Sequence, residues 1–182
     1  MQQAQSNSIV LVLGGVRSGK SRYAQELAAQ SARVKFVATA ERREDEEMLR
    51  KIERHRTERP AHWTTVEEPV ALSRVIKVSE QDCDVLLIDC LTLFAANLME
   101  RHAGEEDQLQ SCVEELCDTL RTTSRTVILV SNEVGSGVVP AYELGRRFRD
   151  VVGEINQRVA AVADTVLLMV AGLPFPLKGG RS

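Results

Sequence analysis

Gly14-Gly15-Val16-Arg17-Ser18-Gly19-Lys20-Ser21 is the stretch of this sequence that decides its fold. It fits the phosphate-binding pattern G-x-x-x-x-G-K-[ST], because it follows the apolar residues 9–13 and precedes a helix-forming stretch over residues 22–29. Glycines let the backbone curl around phosphate oxygens, and the amides at the start of the helix point toward them. The loop therefore predicts a nucleoside triphosphate site, with Lys20 neutralising phosphate charge and Ser21 holding Mg²⁺. A glycine-rich turn without a ligand is the alternative interpretation.

Further apolar, β-branched runs recur along the chain after this loop. They cover residues 34–38, 85–88, 126–130 and 166–170, and residues 63–66 could add a short strand. Their apolarity is continuous rather than alternating, which is typical of parallel strands covered on both faces. Helix-like stretches lie between them, the longest over residues 44–59, 105–122 and 141–163. We therefore expect one α/β domain over residues 1–182, with a mostly parallel sheet flanked by helices and a frayed tail at residues 178–182.

Composition and charge argue against several classes of function. The net charge is -3 over 182 residues, which gives no general surface for nucleic acid. Cys83, Cys90, Cys112 and Cys117 show neither C-x-x-C spacing nor a matching histidine pair, so we expect reduced cysteines, mostly in the core. No segment has the pattern of a signal peptide, and none approaches the roughly 20 uncharged residues of a membrane span. The sequence predicts a cytoplasmic protein without a nucleic-acid partner or membrane span.

A second candidate site residue is Asp89, which ends the apolar run at residues 85–88. Ligands of open α/β sheets gather beyond the carboxyl ends of the strands, and a carboxylate there can share a phosphate-bound Mg²⁺ with Ser21. A cap for the next helix is the alternative interpretation of Asp89. Ser131-Asn132-Glu133 likewise ends the run at residues 126–130, so it could reach a nucleotide or an acceptor, or form only a turn into the last helix.

Residues 45–63 are dense in charge and carry two of the three histidines. Met48, Ile52 and His55 recur at helical spacing, so His55 falls on the apolar stripe of the predicted helix. This position is typical of a structural histidine and also suits a catalyst, and the residues alone leave both open. Two interpretations, a phosphate site or a solvated helix face, also apply to Arg146, Arg147 and Arg149.

Blocks along nearly the whole chain match one protein family in the family's own order. They are Gly14 to Arg22, Ala38-Thr39-Ala40, Arg59-Pro60-Ala61-His62-Trp63, Glu67-Glu68-Pro69, Asp89-Cys90-Leu91-Thr92, Ser131-Asn132-Glu133-Val134-Gly135, Arg147-Phe148-Arg149-Asp150, Asn156-Gln157-Arg158 and Ala171-Gly172-Leu173-Pro174. On these blocks the chain resembles the bifunctional adenosylcobinamide kinase and adenosylcobinamide-phosphate guanylyltransferase family of cobalamin synthesis. The loop with Arg17 and the serine-asparagine-glutamate-valine-glycine run are far more specific than a phosphate-binding loop alone.

The resemblance implies a P-loop NTPase with a RecA-like sheet and two activities in one site region. In the first, ATP or GTP gives its γ-phosphoryl group to the aminopropanol hydroxyl of adenosylcobinamide, while Mg²⁺ and Lys20 neutralise charge. In the second, a histidine attacks the α-phosphate of GTP, expels pyrophosphate and passes GMP to adenosylcobinamide phosphate. That histidine maps onto His55, with His62 as the fallback, and relatives imply a homotrimer with sites near subunit contacts.

The family's nucleotide contacts also carry over to this chain. They map onto Gly14, Gly15, Val16, Arg17, Ser18, Gly19, Lys20, Ser21, Ala38, Thr39, Ala40, Arg56, Thr57, Glu58, Arg59, Glu67 and Asp89. Glu67 and Asp89 suit Mg²⁺ or ribose better than phosphate, because like charges repel. Some relatives have two adjacent histidines where this chain has Arg54 and His55, so one candidate nucleophile remains at that spot.

Three other functions fit parts of the sequence. In a P-loop small-molecule kinase without guanylyl transfer, His55 would be structural. A nucleotide-dependent regulatory module is a second possibility, although the sequence lacks the N-K-x-D motif of switch GTPases. A RecA-like motor on nucleic acid is disfavoured by the acidic net charge and the short chain.

Overall fold

The structure, a computed structural model, describes residues 7–41 and 60–179. Over these residues the strands are β1 (Ile9–Gly14), β2 (Val34–Ala38), β3 (Thr64–Glu67), β4 (Val85–Asp89), β5 (Thr126–Asn132), β6 (Thr165–Val170) and β7 (Leu173–Lys178). The helices are α1 (Lys20–Ala28), α2 (Leu72–Val78), α3 (Leu91–Arg101), α4 (Glu106–Thr122) and α5 (Glu143–Val162). The predicted strands are all present, with boundaries that differ by at most two residues.

The seven strands of the described ranges form one sheet in the order β3-β2-β4-β5-β1-β6-β7. The first six are parallel, and β7 pairs antiparallel with β6. The phosphate-loop strand β1 therefore lies between β5 and β6, far from its sequence neighbour β2. The mostly parallel sheet predicted from the continuous apolar runs is confirmed.

Successive strand residues point to opposite faces, and each face has its own core. Helices α2 to α5 cover one face, where their apolar stripes bury strand residues such as Leu11, Leu86 and Leu129. Helix α1 packs on the other face, where Ala24 and Ala28 and the indole of Trp63 join a second cluster of strand residues that includes Val12, Phe36, Leu87 and Val130. Because both faces are buried, the interior strands need apolar residues at nearly every position, which explains their continuous apolarity.

Some elements were not predicted from the sequence. Helix α3 is apolar on nearly all sides and mostly buried, so it lacks the polar face that identifies a surface helix. Strand β7 contains Pro174 and Pro176, which lack a backbone N–H and are tolerated here because β7 is an edge strand. The frayed-tail prediction is wrong for Lys178, which belongs to β7 and donates to the carbonyls of Ala160 and Ala161, both at 3.0 Å.

The remaining predictions have mixed outcomes. The helix predicted over residues 44–59 lies outside the described residues. All four cysteines are free; Cys83 and Cys117 are buried, whereas Cys90 and Cys112 are half-buried. Within the two described ranges, no helix combines the length and apolarity that a bilayer crossing requires.

Candidate functional site

The carboxyl ends of the parallel strands bring predicted site residues into one row. Glu67 at the end of β3 lies opposite Ala38 of β2, and Ala38 lies opposite Asp89 of β4. On the next two strands, Asn132 of β5 lies opposite Gly14, the first residue of the phosphate loop. Neighbouring strands are about 4.8 Å apart, so the row from Glu67 to Gly14 crosses four strand spacings. This edge of the sheet is the candidate site.

The phosphate loop is tightly supported by the protein around it. A Cβ atom at Gly14 would overlap the Ser18 hydroxyl and lie 2.8 Å from the carbonyl oxygen of Met169, so only glycine fits there. Gly19 has φ 94°, a conformation that glycine adopts without strain. The turn between β6 and β7 also supports the loop, because the amide of Gly172 donates to the Ser18 carbonyl at 2.9 Å. These contacts hold the loop in shape without a ligand.

Lys20 is half-buried at the start of α1, and its charge has no internal partner in the part of the chain that the structure describes. Its Nζ donates to the carbonyl oxygen of Gly15 at 3.1 Å and forms no ion pair there. Burial lowers the pKa of Lys20, while the charges of Cys90 and Asp89 raise it in part. Burial also raises the pKa of the Cys90 thiol, so this thiol is uncharged at neutral pH. The ammonium is therefore placed to bind an external anion.

Ser21 and Asp89 are the residues that could hold a metal ion. Both are half-buried, Ser21 directly follows Lys20, and Asp89 is close enough to act on the pKa of Lys20. A hydroxyl and a carboxylate are oxygen donors that suit Mg²⁺ when phosphates and waters complete its shell. No cluster of three or more His, Cys, Asp or Glu residues in the described ranges could bind a metal by itself. The N-cap of α3 is Cys90, so the structure does not place Asp89 at the capping position.

Thr39 and Asn97 tie together the segments that follow β2, β3 and β4. The Thr39 hydroxyl accepts from the amide of Cys90 and donates to its carbonyl, both at 2.8 Å. The Asn97 amide nitrogen, on buried α3, donates to the carbonyls of Thr39 at 2.8 Å and Pro69 at 3.1 Å. The Thr39 side chain is thus used inside the protein, and the Ala38 carbonyl accepts from the amide of Glu68 at 2.9 Å.

A second set of contacts ties the end of β5 to the phosphate loop. The amide of Glu133 donates to the carbonyl of Gly14 at 3.1 Å. The amide of Asn132 donates to the Thr92 hydroxyl at 2.9 Å, and the side chain of Asn156 donates to the Asn132 carbonyl at 3.0 Å. The Ser131-Asn132-Glu133 run therefore lies beside the phosphate loop.

Three residues that support the site loops, Thr92, Asn97 and Asn156, were not identified from the sequence. All three are polar, less than one-tenth exposed and bonded to the backbone of a site loop. A polar residue among the buried apolar residues of a helix, as Asn97 is in α3, was the available signal.

The structure does not bring His62 to this edge. His62 is exposed and precedes β3, whose first residue, Thr64, pairs with Lys35 near the amino end of β2. At about 3.3 Å per extended residue, Thr64 lies roughly 10 Å before Glu67 along β3. His62 lies in the turn that precedes Thr64, on the amino side of the strand. His55, Arg56, Thr57, Glu58 and Arg59 lie outside the described residues.

Two of the three arginines near the start of α5 are engaged with protein groups. Arg146 donates to the carbonyls of Pro140 at 3.1 Å and Ala141 at 2.8 Å. Arg147 forms an ion pair with Glu106 at 2.7 Å. These contacts give both side chains a structural use without a phosphate.

Solved structures show the fold. An ATPase from the type III secretion system of pathogenic bacteria superposes with a TM-score of 0.58 and 12% identity over 90% of this chain. The ATPase EscN of enteropathogenic E. coli gives a TM-score of 0.57 and 11% identity over 91% of this chain. The chain corresponds to 51% and 43% of the lengths of these two proteins. At such identities they show the fold alone, and the predicted RecA-like P-loop fold is confirmed.

Sequence relatives show the family. Bifunctional adenosylcobalamin biosynthesis protein CobP of Pseudomonas aeruginosa is 47% identical over 175 residues, covering 93% of this chain and 96% of CobP. The CobU proteins of Escherichia coli K12 and Salmonella typhimurium, which carry the same descriptive name, are 37% and 38% identical over 181 residues, covering 93% of this chain and 99% of theirs. Residues 10–177 match the family model described as cobinamide kinase / cobinamide phosphate guanyltransferase. The chain therefore belongs to the cobinamide kinase / cobinamide phosphate guanyltransferase family.

Proposed function

We propose that this chain catalyses both reactions of its family in cobalamin biosynthesis. It would phosphorylate the aminopropanol hydroxyl of adenosylcobinamide with ATP or GTP, then transfer GMP from GTP to give adenosylcobinamide-GDP. The observation that carries this proposal is the Lys20 ammonium, which forms no ion pair within the described residues and lies near Asp89 on a phosphate loop that surrounding contacts hold in shape. The homotrimer that the family resemblance implies, and the single domain and cytoplasmic location that the sequence predicts, belong to the same proposal.

In the kinase reaction the loop amides and Lys20 would bind the β- and γ-phosphates. The acceptor hydroxyl oxygen forms a bond to the γ-phosphorus as its proton passes to water, and the bond to the β–γ bridging oxygen breaks, with the electron pair going to that oxygen. Lys20 stabilises the negative charge that spreads over the transferring group and the leaving diphosphate. Ser21 and Asp89 would hold Mg²⁺, which supplies further charge neutralisation when bound.

In the guanylyl transfer an imidazole nitrogen of His55 would attack the α-phosphorus of GTP. The bond to the bridging oxygen breaks, pyrophosphate leaves, and GMP stays on the histidine as a phosphoramidate. A phosphate oxygen of adenosylcobinamide phosphate then attacks the same phosphorus and releases His55. Arg56 and Arg59 would bind the phosphates of the donor and of the leaving pyrophosphate. The distance of His62 from the carboxyl edge supports His55 over His62.

Labelling with GTP that carries the label on its α-phosphate tests the proposal. We expect acid-labile, alkali-stable label on the denatured wild-type chain and on His62→Ala, and none on His55→Ala. Label at the wild-type level on His55→Ala would move the nucleophile to another residue. If the γ-phosphoryl group reaches adenosylcobinamide but no α-label is retained, the chain is a kinase only. If neither reaction occurs, the chain is a nucleotide-binding module.

A further inference from the structure

Arg17 holds a backbone conformation that arginine does not favour. Its φ is 59°, in the left-handed region that glycine occupies without strain. Ala171 is the other non-glycine residue with positive φ in the described ranges. A glycine at position 17 would make the same turn with less strain, so the shape of the loop alone does not explain an arginine there. An outlier of this kind in a binding loop motivates a functional explanation.

The side chain of Arg17 is also exposed and without a partner. It forms no hydrogen bond or ion pair with any part of the chain that the structure describes. Other arginines are paired: Arg33 with Asp84 at 2.6 Å and Arg147 with Glu106 at 2.7 Å. Within the described residues, no carboxylate therefore competes with a phosphate for this guanidinium on the phosphate loop.

The loop is anchored on both sides of Arg17, so its position is fixed. The Gly15 carbonyl accepts from Lys20 and from the Ser18 amide, and the Ser18 carbonyl accepts from Gly172. A guanidinium presents several N–H groups in one plane and binds phosphate oxygens in pairs, whereas an ammonium acts as a point charge. Arg17 thus adds to the loop a directional donor that Lys20 does not supply.

We propose that the Arg17 guanidinium binds the γ-phosphate of the donor nucleotide and stabilises it during transfer, as a catalytic residue. This inference rests on the kinase half of the proposed function. The acceptor oxygen bonds to the γ-phosphorus, the β–γ bridging oxygen leaves with its electron pair, and the hydroxyl proton passes to water. Arg17 remains protonated throughout, and its hydrogen bonds to the equatorial oxygens strengthen as charge develops on them.

Two substitutions separate this role from a role in loop shape. Arg17→Gly and Arg17→Ala both remove the guanidinium, but glycine relieves the backbone strain and alanine does not. We expect both to lower kcat for phosphoryl transfer on the order of 100-fold and to abolish the preference for ATP over ADP in Kd, measured with Mg²⁺. Arg17→Gly should melt at or above the temperature of Arg17→Ala.

The matched control is Arg22→Ala, which removes an exposed arginine on α1 that pairs with Glu26 at 3.5 Å. It should keep the wild-type ratio of the Kd values for ADP and ATP. Wild-type turnover and an unchanged ratio in Arg17→Gly would overturn the inference while the kinase function stands. A wild-type chain that binds neither nucleotide would overturn the proposed function and this inference with it.

Discussion

Lys20 and Lys35 lie at opposite edges of the same sheet and differ in their partners. Lys35, near the amino end of β2, is buried, and its Nζ lies 3.0 Å from the Ser79 hydroxyl and 2.8 and 2.7 Å from the two Asp82 carboxylate oxygens. Lys20, at the carboxyl edge, donates to a single neutral carbonyl, that of Gly15. The amino edge uses its lysine to stabilise the fold, whereas the carboxyl edge leaves its lysine ready for an anion.

The two lysines have opposite effects on the stability of the fold. Because burial lowers the pKa of Lys20, the folded state disfavours the charged form of that side chain. Its charge therefore opposes folding below the folded-state pKa, and this cost falls as the pH rises through that value. A bound phosphate would pair with the Lys20 ammonium. Without a ligand, this charge makes the site less stable than the packing around it would otherwise allow.

The largest expected effect comes from Lys20→Ala. We expect phosphoryl transfer at saturating nucleotide to fall about 100- to 1000-fold, because a positioned donor to the transferring group is lost. The melting temperature of the ligand-free protein should stay the same or rise, since an unpaired, half-buried charge is removed. Steady-state kinetics and thermal unfolding of the same preparation check both statements. Unchanged turnover would end the role assigned to Lys20.

Asn97→Leu tests whether the site loops depend on α3. The substitution keeps the approximate shape of the side chain but leaves the carbonyls of Thr39 and Pro69 without their buried donor. We expect a loss of about 2 to 3 kcal/mol in the free energy of unfolding. We also expect GTP to bind several-fold more weakly, because Ala38 and Glu67 would be less well placed.

Denaturant unfolding and GTP titration measure the two effects of Asn97→Leu separately. Asn156→Leu is the matched variant, since it removes a similar buried amide from the β5 side of the site. If Asn97→Leu were less stable but bound GTP at the wild-type level, Asn97 would serve stability alone.

Asp82→Ala is expected to act at the amino edge only. It leaves the buried Lys35 ammonium with the Ser79 hydroxyl, and we expect a loss of about 2 kcal/mol in unfolding free energy. Nucleotide affinity should not change. Glu115→Ala is the control, because it breaks an exposed ion pair with Lys77 and should change stability by less than about 1 kcal/mol. A change in nucleotide affinity in Asp82→Ala would show that the two edges are coupled.

The smallest expected effect is the pH dependence of the contribution that Asp82 makes to the free energy of unfolding. Hydrogen bonding to Lys35 holds the pKa of Asp82 below its usual range, against some desolvation. The unfolded chain therefore binds the proton more readily, so the contribution is complete above about pH 4 and is lost as the pH falls through the folded-state pKa. The gap in unfolding free energy between wild type and Asp82→Ala should narrow between pH 5 and pH 3. A gap that stays constant would show that the carboxylate charge is not its source.

The local sequence was sufficient to predict the elements that depend only on residues close together in the chain. The phosphate loop needs glycine at position 14, where a Cβ would overlap Ser18, and favours it at position 19, where φ is 94°, so the loop is visible in the sequence itself. Buried parallel strands need unbroken apolar runs, and those were visible too. Helix α3 and strand β7 were not, because one is buried on nearly all sides and the other carries prolines that only an edge tolerates.

The sequence by itself determined the nucleotide loop, the α/β class and the family, because each depends on residue type and spacing along the chain. Only the tertiary structure decided which residues meet. The order β3-β2-β4-β5-β1 aligns Glu67, Asp89 and Gly14 at one edge, and it places His62 at the other. Strand order depends on contacts between segments far apart in the chain, and no local spacing encodes those contacts. For the same reason Asn97, which joins segments 28 and 58 residues away, became a site residue only once the chain was folded.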